Sequence, residues 1–363
     1  MSQPSRSSQS SQSSQSSQPS QPSPAETTVL VTGASGFIAQ HTILALLAAG
    51  YRVRGTVRSL KRGDEIRRVL GDAAGDRFAL VEAELTSDAG WREACRGCRY
   101  VLHMASPLPS RPPKHADELI VPARDGALRV LRAAVAERVA RVVMTSSVAA
   151  VLYGHARDGS RTYDEADWSK LTPDVGAYEQ SKTIAERAAW DFLDTLPVDQ
   201  RIELVAVNPG LVLGPVLSAD FSTSGEVVRK LMKRELPGCP DIGFAVVDVR
   251  DVASAHVAAM TVPEAAGQRF IAAVEHASMR DIATILATHF GPRGYKIPTR
   301  RVPAWLLRLV AVWDKTARLA IQELGKRQDL SNARARTVLG WQPRSLEAMV
   351  VDMGESMIAH GVA

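Results

Sequence analysis

Tyr178-Glu179-Gln180-Ser181-Lys182 puts a phenol and an ammonium four residues apart, which on a helix is one turn and one face. A phenol titrates at about 10, and a neighbouring positive charge favours its phenolate, so Tyr178 can exchange a proton with a substrate oxygen near neutral pH. Taken alone, the pentapeptide also fits a surface tyrosine beside a solvated lysine. Ser146-Ser147 changes that reading, because it follows the β-rich run Arg141-Val142-Val143-Met144. In a parallel sheet covered by helices, that is the edge at which ligands bind. A hydroxyl there can hold a carbonyl while a hydride reaches its carbon.

A hydride needs a carrier, and Gly33-x-x-Gly36-x-x-Ala39 offers the place for one. The motif lies between the β-rich run Thr28-Val29-Leu30-Val31-Thr32 and a stretch, Ile43 to Ala49, that reads as a helix stopped by Gly50. Glycines let backbone N–H groups approach a pyrophosphate, and the helix N-terminus favours its charge. Ala39, in the third position, is small enough for close helix–sheet packing. The next strand, Arg52-Val53-Arg54-Gly55-Thr56-Val57, is followed by Arg58, with Lys61 and Arg62 close behind. A protein selecting NAD would place an acid there against the ribose hydroxyls. A cation favours the extra phosphate of NADP, although a solvated basic helix start has the same composition. Glu84-Leu85 ends the third β-run and is placed to line the adenine site.

The elements that position these groups repeat along the chain. Phe78-Ala79-Leu80-Val81, Tyr100-Val101-Leu102-His103, Arg141-Val142-Val143-Met144 and Leu204-Val205-Ala206-Val207 alternate with helix-length segments, and several are apolar at consecutive positions, as strands covered on both faces are. The expected fold class is α/β, a Rossmann-like doubly wound parallel sheet with a smaller, discontinuous C-terminal substrate lobe. Of the first 26 residues, 22 are Ser, Gln or Pro, which cannot build a core, so residues 1–26 are expected to be a disordered tail. Residues 27–207 would form the NADP-binding domain, joined by a returning strand near 268–273, and residues 208–363 mainly the substrate lobe.

Other function classes find little support. Over 363 residues the net charge is only +5, and the basic run from Arg54 to Arg68 is broken by Asp64 and Glu65 with no aromatic series to stack bases, so no nucleic acid is expected as a partner. Three cysteines, Cys95, Cys98 and Cys239, make neither a disulfide framework nor a zinc site. The start of the chain lacks the pattern of a secretory or transit signal, and a cytoplasmic protein with no membrane partner is expected. Trp305, Leu309 and Trp313 fall at helical spacing and read as core or pocket wall, with Arg308 interrupting the apolar run. Asp164-Glu165-x-Asp167-Trp168 reads as a capping and turn segment.

Together the motifs resemble the extended short-chain dehydrogenases/reductases, the NAD-dependent epimerase/dehydratase family. The nearest branch is similar to the dihydroflavonol reductases, cinnamoyl-CoA reductases and methylglyoxal/aldehyde reductases. The resemblance rests on Val31-Thr32-Gly33-Ala34-Ser35-Gly36-Phe37-Ile38, Leu102-His103-Met104-Ala105-Ser106-Pro107, Thr145-Ser146-Ser147, Tyr178-x-x-x-Lys182, Asn208-Pro209-Gly210-Leu211-Val212 and Val247-Asp248-Val249-Arg250-Asp251-Val252. It runs from about residue 27 to the end, including Leu339-Gly340-Trp341-Gln342-Pro343.

The resemblance implies that Ser147, Tyr178 and Lys182 are catalytic. Tyr178 would donate the proton, Ser147 would orient the carbonyl, and Lys182 would bind the nicotinamide ribose and depress the Tyr178 pKa. NADP(H) would lie against Gly33, Ala34, Ser35, Gly36, Phe37, Ile38, Arg58, Arg62, Glu84, Leu85, Ala105, Tyr178, Lys182, Pro209, Val212 and Ser224. His103, and His256 where the last motif continues as Ala253-x-Ala255-His256, are expected to be packed histidines. The implied activity is reduction of an aldehyde or ketone to an alcohol by a monomer or homodimer with a small-molecule carbonyl or alcohol as partner. Hydroxysteroid oxidation and nucleotide-sugar epimerisation are alternatives on the same scaffold. Elimination chemistry is disfavoured because Val148 and Ala149, not acids, follow Ser147. A sensor that binds NADP without turnover is disfavoured by the presence of Ser147, Tyr178 and Lys182.

Overall fold

A computed structural model of the chain describes residues 23–107, 113, 115–219, 221, 223–313 and 315–363. Ten strands occur among them: β1 Thr28–Val31, β2 Arg52–Val57, β3 Phe78–Glu82, β4 Tyr100–His103, β5 Arg141–Thr145, β6 Glu203–Pro209, β7 Leu211–Leu213, β8 Gly243–Asp248, β9 Arg269–Ala272 and β10 Glu275–Ser278. The helices are α1 Phe37–Ala48, α2 Gly63–Leu70, α3 Trp91–Cys95, α4 Asp117–Ala136, α5 Ala177–Asp194, α6 Glu226–Met232, α7 Val249–Thr261, α8 Met279–Phe290, α9 Ala304–Val310, α10 Lys315–Gln322, α11 Ala333–Leu339 and α12 Leu346–Ala359.

Seven strands form one sheet in the order β3-β2-β1-β4-β5-β6-β9, every pairing parallel. The order reverses at β1, which opens a crevice between the ends of β1 and β4, the place where such sheets take ligands. Both faces are covered: α1 and α7 pack on one through Ile43, Leu46, Leu47, Val252 and Ala259, while α4 and α5 pack on the other through Val130, Leu131, Ala134, Ala185 and Ala189. That double cover is why β4 and β5 are buried at every residue. Arg269–Ala272, the segment able to return to the main sheet, pairs with β6 as its last strand.

Helix α1 starts six residues before the apolar stretch that announced it. Gln40, His41 and Thr42 break the apolar pattern but are buried, Thr42 donating to the Ile38 carbonyl and His41 Nε2 lying 2.9 Å from the Pro215 carbonyl. Pro24–Glu26, assigned by composition to the tail, form a 3₁₀ turn leading into β1; residues 1–22 lie outside the described residues. A second sheet, β10-β8-β7, forms from residues after β6, and the sequence did not announce it because its strands are only three to six residues long. Gly210 makes the step from β6 into this sheet possible: a Cβ there would lie 2.1 Å from the Ala245 carbonyl oxygen.

The expectation that Trp305, Leu309 and Trp313 are core is overturned: they are 66%, 51% and 78% exposed, and α9 buries none of its residues. Among the described residues no helix is long and apolar enough to cross a membrane.

Candidate active site

A cavity of about 690 Å³ opens at the C-terminal ends of β1, β4, β5 and β6. Behind its lining lies Thr32, the buried residue after β1. The Thr32 hydroxyl accepts the N–H groups of Met104 (3.0 Å) and Ala105 (2.9 Å), which uses both of its lone pairs, so its own proton goes to His103 Nδ1 at 3.0 Å. His103 is therefore held neutral, in keeping with a pKa driven down to about 3 by burial and the nearby Lys182 charge. This clamp brings Ala105 against the glycine loop. Gly33 has φ +70°, and a Cβ on it would sit 3.1 Å from the Ala105 Cα, so conformation and space both require glycine.

Behind Gly33 the loop turns into α1, with the Gly33 and Ala34 N–H groups tied to Thr56 at 3.0 and 2.8 Å and the Gly36 N–H to the Gly33 carbonyl at 2.8 Å. Among the described residues nothing accepts the N–H of Ser35, Phe37 or Ile38, three groups on the cavity wall at a helix start. Unmatched donors of this kind fit a pyrophosphate. A second hollow of about 340 Å³ adjoins the loop and is lined by Ser35, Val57, Arg58, Ser59 and Arg62. Arg62 also holds Glu65 at 2.9 Å, whereas Arg58 meets no carboxylate among the described residues.

On the opposite wall stand Ser147, Tyr178 and Lys182. Ser147 is extended and caps the turn Val148–Ala150, its Oγ accepting the Ala149 N–H at 3.1 Å, which leaves its proton and one lone pair for other partners. Tyr178 and Lys182 lie one turn apart on α5, the Lys182 Nζ 6.0 Å from the Tyr178 ring centre. Burial raises the Tyr178 pKa above its ordinary value, against the pull of a hydrogen bond with Ser147. Lys182 is driven down to about 8 by its own burial, opposed by the Glu186 charge. The expected depression of the phenol by the ammonium is thus not found: desolvation is the largest influence on Tyr178 and raises it, and burial likewise lowers Lys182.

A buried ion pair sits behind this wall. Glu186, one turn after Lys182, accepts from Ser146 Oγ (2.5 Å), Asn208 Nδ2 (2.8 Å) and Arg269 Nε (2.6 Å), and Asn208 also donates to the Ser147 carbonyl at 3.1 Å. Arg269, from the last strand of the sheet, donates further to the carbonyls of Glu165 and Asp167 and lies 3.7 Å from the Trp168 ring centre. The Asp164–Asp167 segment is a turn built by its own carboxylates, while Glu165 is buried and accepts the Ile271 N–H. His256 is buried between Thr145 and the Val252 carbonyl, its pKa lowered to about 4 by burial.

Of the positions expected to contact a cofactor, Gly33, Ser35, Gly36, Phe37, Ile38, Arg62, Tyr178, Lys182, Pro209, Val212 and Ser224 line the large cavity, and Arg58 the adjoining hollow. Ala34 is buried beneath the loop and Ala105 backs Gly33. Glu84 and Leu85 line neither space. β3 stops at Glu82, whose carboxylate accepts the Leu60 N–H. The Glu84 carbonyl accepts from Trp91, and Leu85 packs on Gly126 of α4. Sequence reasoning missed Tyr153, Phe244 and Gln328, which close the far end of the cavity. Gln328 arrives from 175 positions away to donate to the Tyr153 hydroxyl and accept the Ala245 N–H. No local pattern marks it.

Residues 29–273 match the model of the NAD dependent epimerase/dehydratase family. The chain is 36% identical over 282 residues to cinnamoyl-CoA reductase 1 of Arabidopsis thaliana, covering 76% of this chain and 78% of that protein. It is 31% identical over 350 residues to an NADPH-dependent methylglyoxal reductase of Saccharomyces cerevisiae, covering 91% and 98%. The crystal structure of a yeast methylglyoxal/isovaleraldehyde reductase complexed with NADPH superposes with a TM-score of 0.76 at 28% identity, over 93% of this chain and all of that one.

Proposed function

The chain belongs to the NAD dependent epimerase/dehydratase family, and from that premise we propose that it is an NADPH-dependent reductase of aldehydes or ketones, with Tyr178 as proton donor. The observation that carries this reading is one cavity with unmatched loop N–H groups on one wall and Ser147, Tyr178 and Lys182 on the other. NADPH, when bound, supplies the hydride. The Ser35, Phe37 and Ile38 N–H groups would hold its pyrophosphate and Arg58 its extra phosphate, while Pro209, Val212 and Ser224 line the space beyond the loop.

Ser147 donates its proton to the substrate carbonyl oxygen as a hydrogen bond and so withdraws charge from the carbon. Tyr178, held protonated by burial, then transfers its phenolic proton to that oxygen as the carbon is reduced. Lys182, while charged, stabilises the phenolate left behind. The side of the cavity beyond these groups is built from Val148, Leu211, Phe221 and Phe244 with Tyr153 and Gln328, a largely apolar wall suited to a partly apolar carbonyl compound.

Oxidation of NADPH and of NADH by purified protein, followed at the nicotinamide absorbance across aldehydes, α-keto esters and ketones, tests the reading directly. Turnover with NADPH well above NADH is expected. Tight cofactor binding with no carbonyl reduced would overturn it. Arg58→Ala is expected to raise KM for NADPH about tenfold or more with little change for NADH, since it removes a charge-assisted phosphate contact. Equal effects on the two cofactors would take Arg58 out of phosphate recognition.

A further inference from the structure

Apart from Tyr178, whose ring edge opens on the cavity, nine large apolar side chains stand exposed among the described residues, and five of them crowd into nine positions: Trp305, Leu309, Val310, Val312 and Trp313. Helix α9 packs on α10 and half-buries only Leu306 and Leu307, so among the described residues nothing covers its outer stripe. The same stretch carries the chain's surplus charge. Residues 296–318 hold six of the 44 basic residues and one of the 39 acidic ones, a net +5 that equals the charge of the whole protein; the remainder balances at 38 of each sign. Arg301 meets Asp241 at 3.3 Å on the surface, and Arg318 donates to the Ala311 and Val312 carbonyls. Among the described residues no carboxylate pairs with Arg300 or Arg308.

Apolar side chains and cations concentrated together narrow the choice of partner. A second copy docked by two-fold symmetry would set this cationic patch against itself, which like-charge repulsion opposes. An anionic lipid surface meets both demands at once: indole and aliphatic side chains settle at the headgroup–acyl boundary while guanidinium groups stay at the phosphates. We infer that α9 and residues 311–313 form a peripheral docking surface for an anionic bilayer, anchored by Trp305, Leu309 and Trp313 and steered by Arg300 and Arg308. This departs from the sequence reading, in which the internal Arg308 set the segment apart from membranes. That charge argues against spanning, not against lying on the surface.

The test is co-sedimentation of the full chain with vesicles of phosphatidylcholine alone and of phosphatidylcholine mixed equally with phosphatidylglycerol. Binding to the mixed vesicles is expected to exceed binding to the neutral ones by about tenfold or more and to be lost as salt rises from about 0.1 to about 0.5 M. Arg300→Glu/Arg308→Glu and Trp305→Ser/Trp313→Ser are each expected to cut it about tenfold or more. Both variants should keep the circular dichroism and melting temperature of the parent, because these side chains are exposed. No sedimentation with mixed vesicles, or equal binding to both kinds, overturns the inference. So does a concentration-dependent dimer that Trp305→Ser/Trp313→Ser abolishes, since the patch would then be a subunit contact.

Discussion

Tyr178→Phe is expected to lower turnover of a reducible carbonyl by about 10²-fold or more while NADPH affinity stays within about twofold. The variant keeps the ring one turn before Lys182 and deletes only the hydroxyl, and with it the exchangeable proton. Phenylalanine also loses no hydrogen bond that holds the fold: the tyrosine hydroxyl's partner, Ser147, remains tied to the Ala149 N–H. A fall in kcat at unchanged cofactor affinity, read by steady-state oxidation and by a fluorescence titration of NADPH, therefore reports chemistry rather than structure. Near-normal turnover would remove Tyr178 from the mechanism.

The pH dependence follows from the same wall. Tyr178 has a raised pKa, so it stays protonated and able to donate throughout the neutral range. Lys182, lowered to about 8 by burial, is charged below that value and neutral above it. The kcat/KM for NADPH, which reports the protein before it binds, is expected to be level below pH 8 and to fall as pH rises through about 8. Glu186 opposes the lowering, so Glu186→Gln should move the descending limb to lower pH. A limb that stays in place in that variant would show that another group sets it.

Much of this arrangement was legible in the sequence because it is local. A strand, two glycines and a helix lie within about twenty residues, and the phenol and ammonium lie within one turn; each pattern fixes its own geometry before any tertiary contact forms. The parallel, doubly wound class follows from alternation, since right-handed crossovers leave few topologies, while the strand order itself came only with the fold. The residues that escaped notice act across long separations. Gln328 meets Tyr153 across 175 positions, and Glu186, an acid on a helix, gains its role only because Arg269 comes in from the far strand. The start of α1 was missed because buried His41 and Thr42 satisfy themselves on nearby carbonyls, so polarity did not mean exposure. Trp305 and Trp313 failed the other way, since spacing shows that residues share a face but not that anything covers it.

Arg269→Met is expected to destabilise the protein by about 3–5 kcal/mol, because removing one member of a buried pair leaves the other charged and uncompensated. Glu186 is fully buried and has no water to turn to. The loss spreads because the guanidinium also holds the Glu165 and Asp167 carbonyls and stacks on Trp168, so the turn before the Tyr178 helix loosens with it. Glu186→Met/Arg269→Met removes both charges and is expected to recover a large part of the stability in urea unfolding. It is not expected to recover catalysis in equal measure. Asn208 grips the Ser147 carbonyl while donating to the Glu186 carboxylate, and Ser146 donates to the same group, so without that carboxylate the Ser146-Ser147 turn loses its anchor. A stable double variant with reduced kcat and unchanged KM for NADPH would identify the pair as what positions Ser147. One with parental kcat would confine the pair to folding.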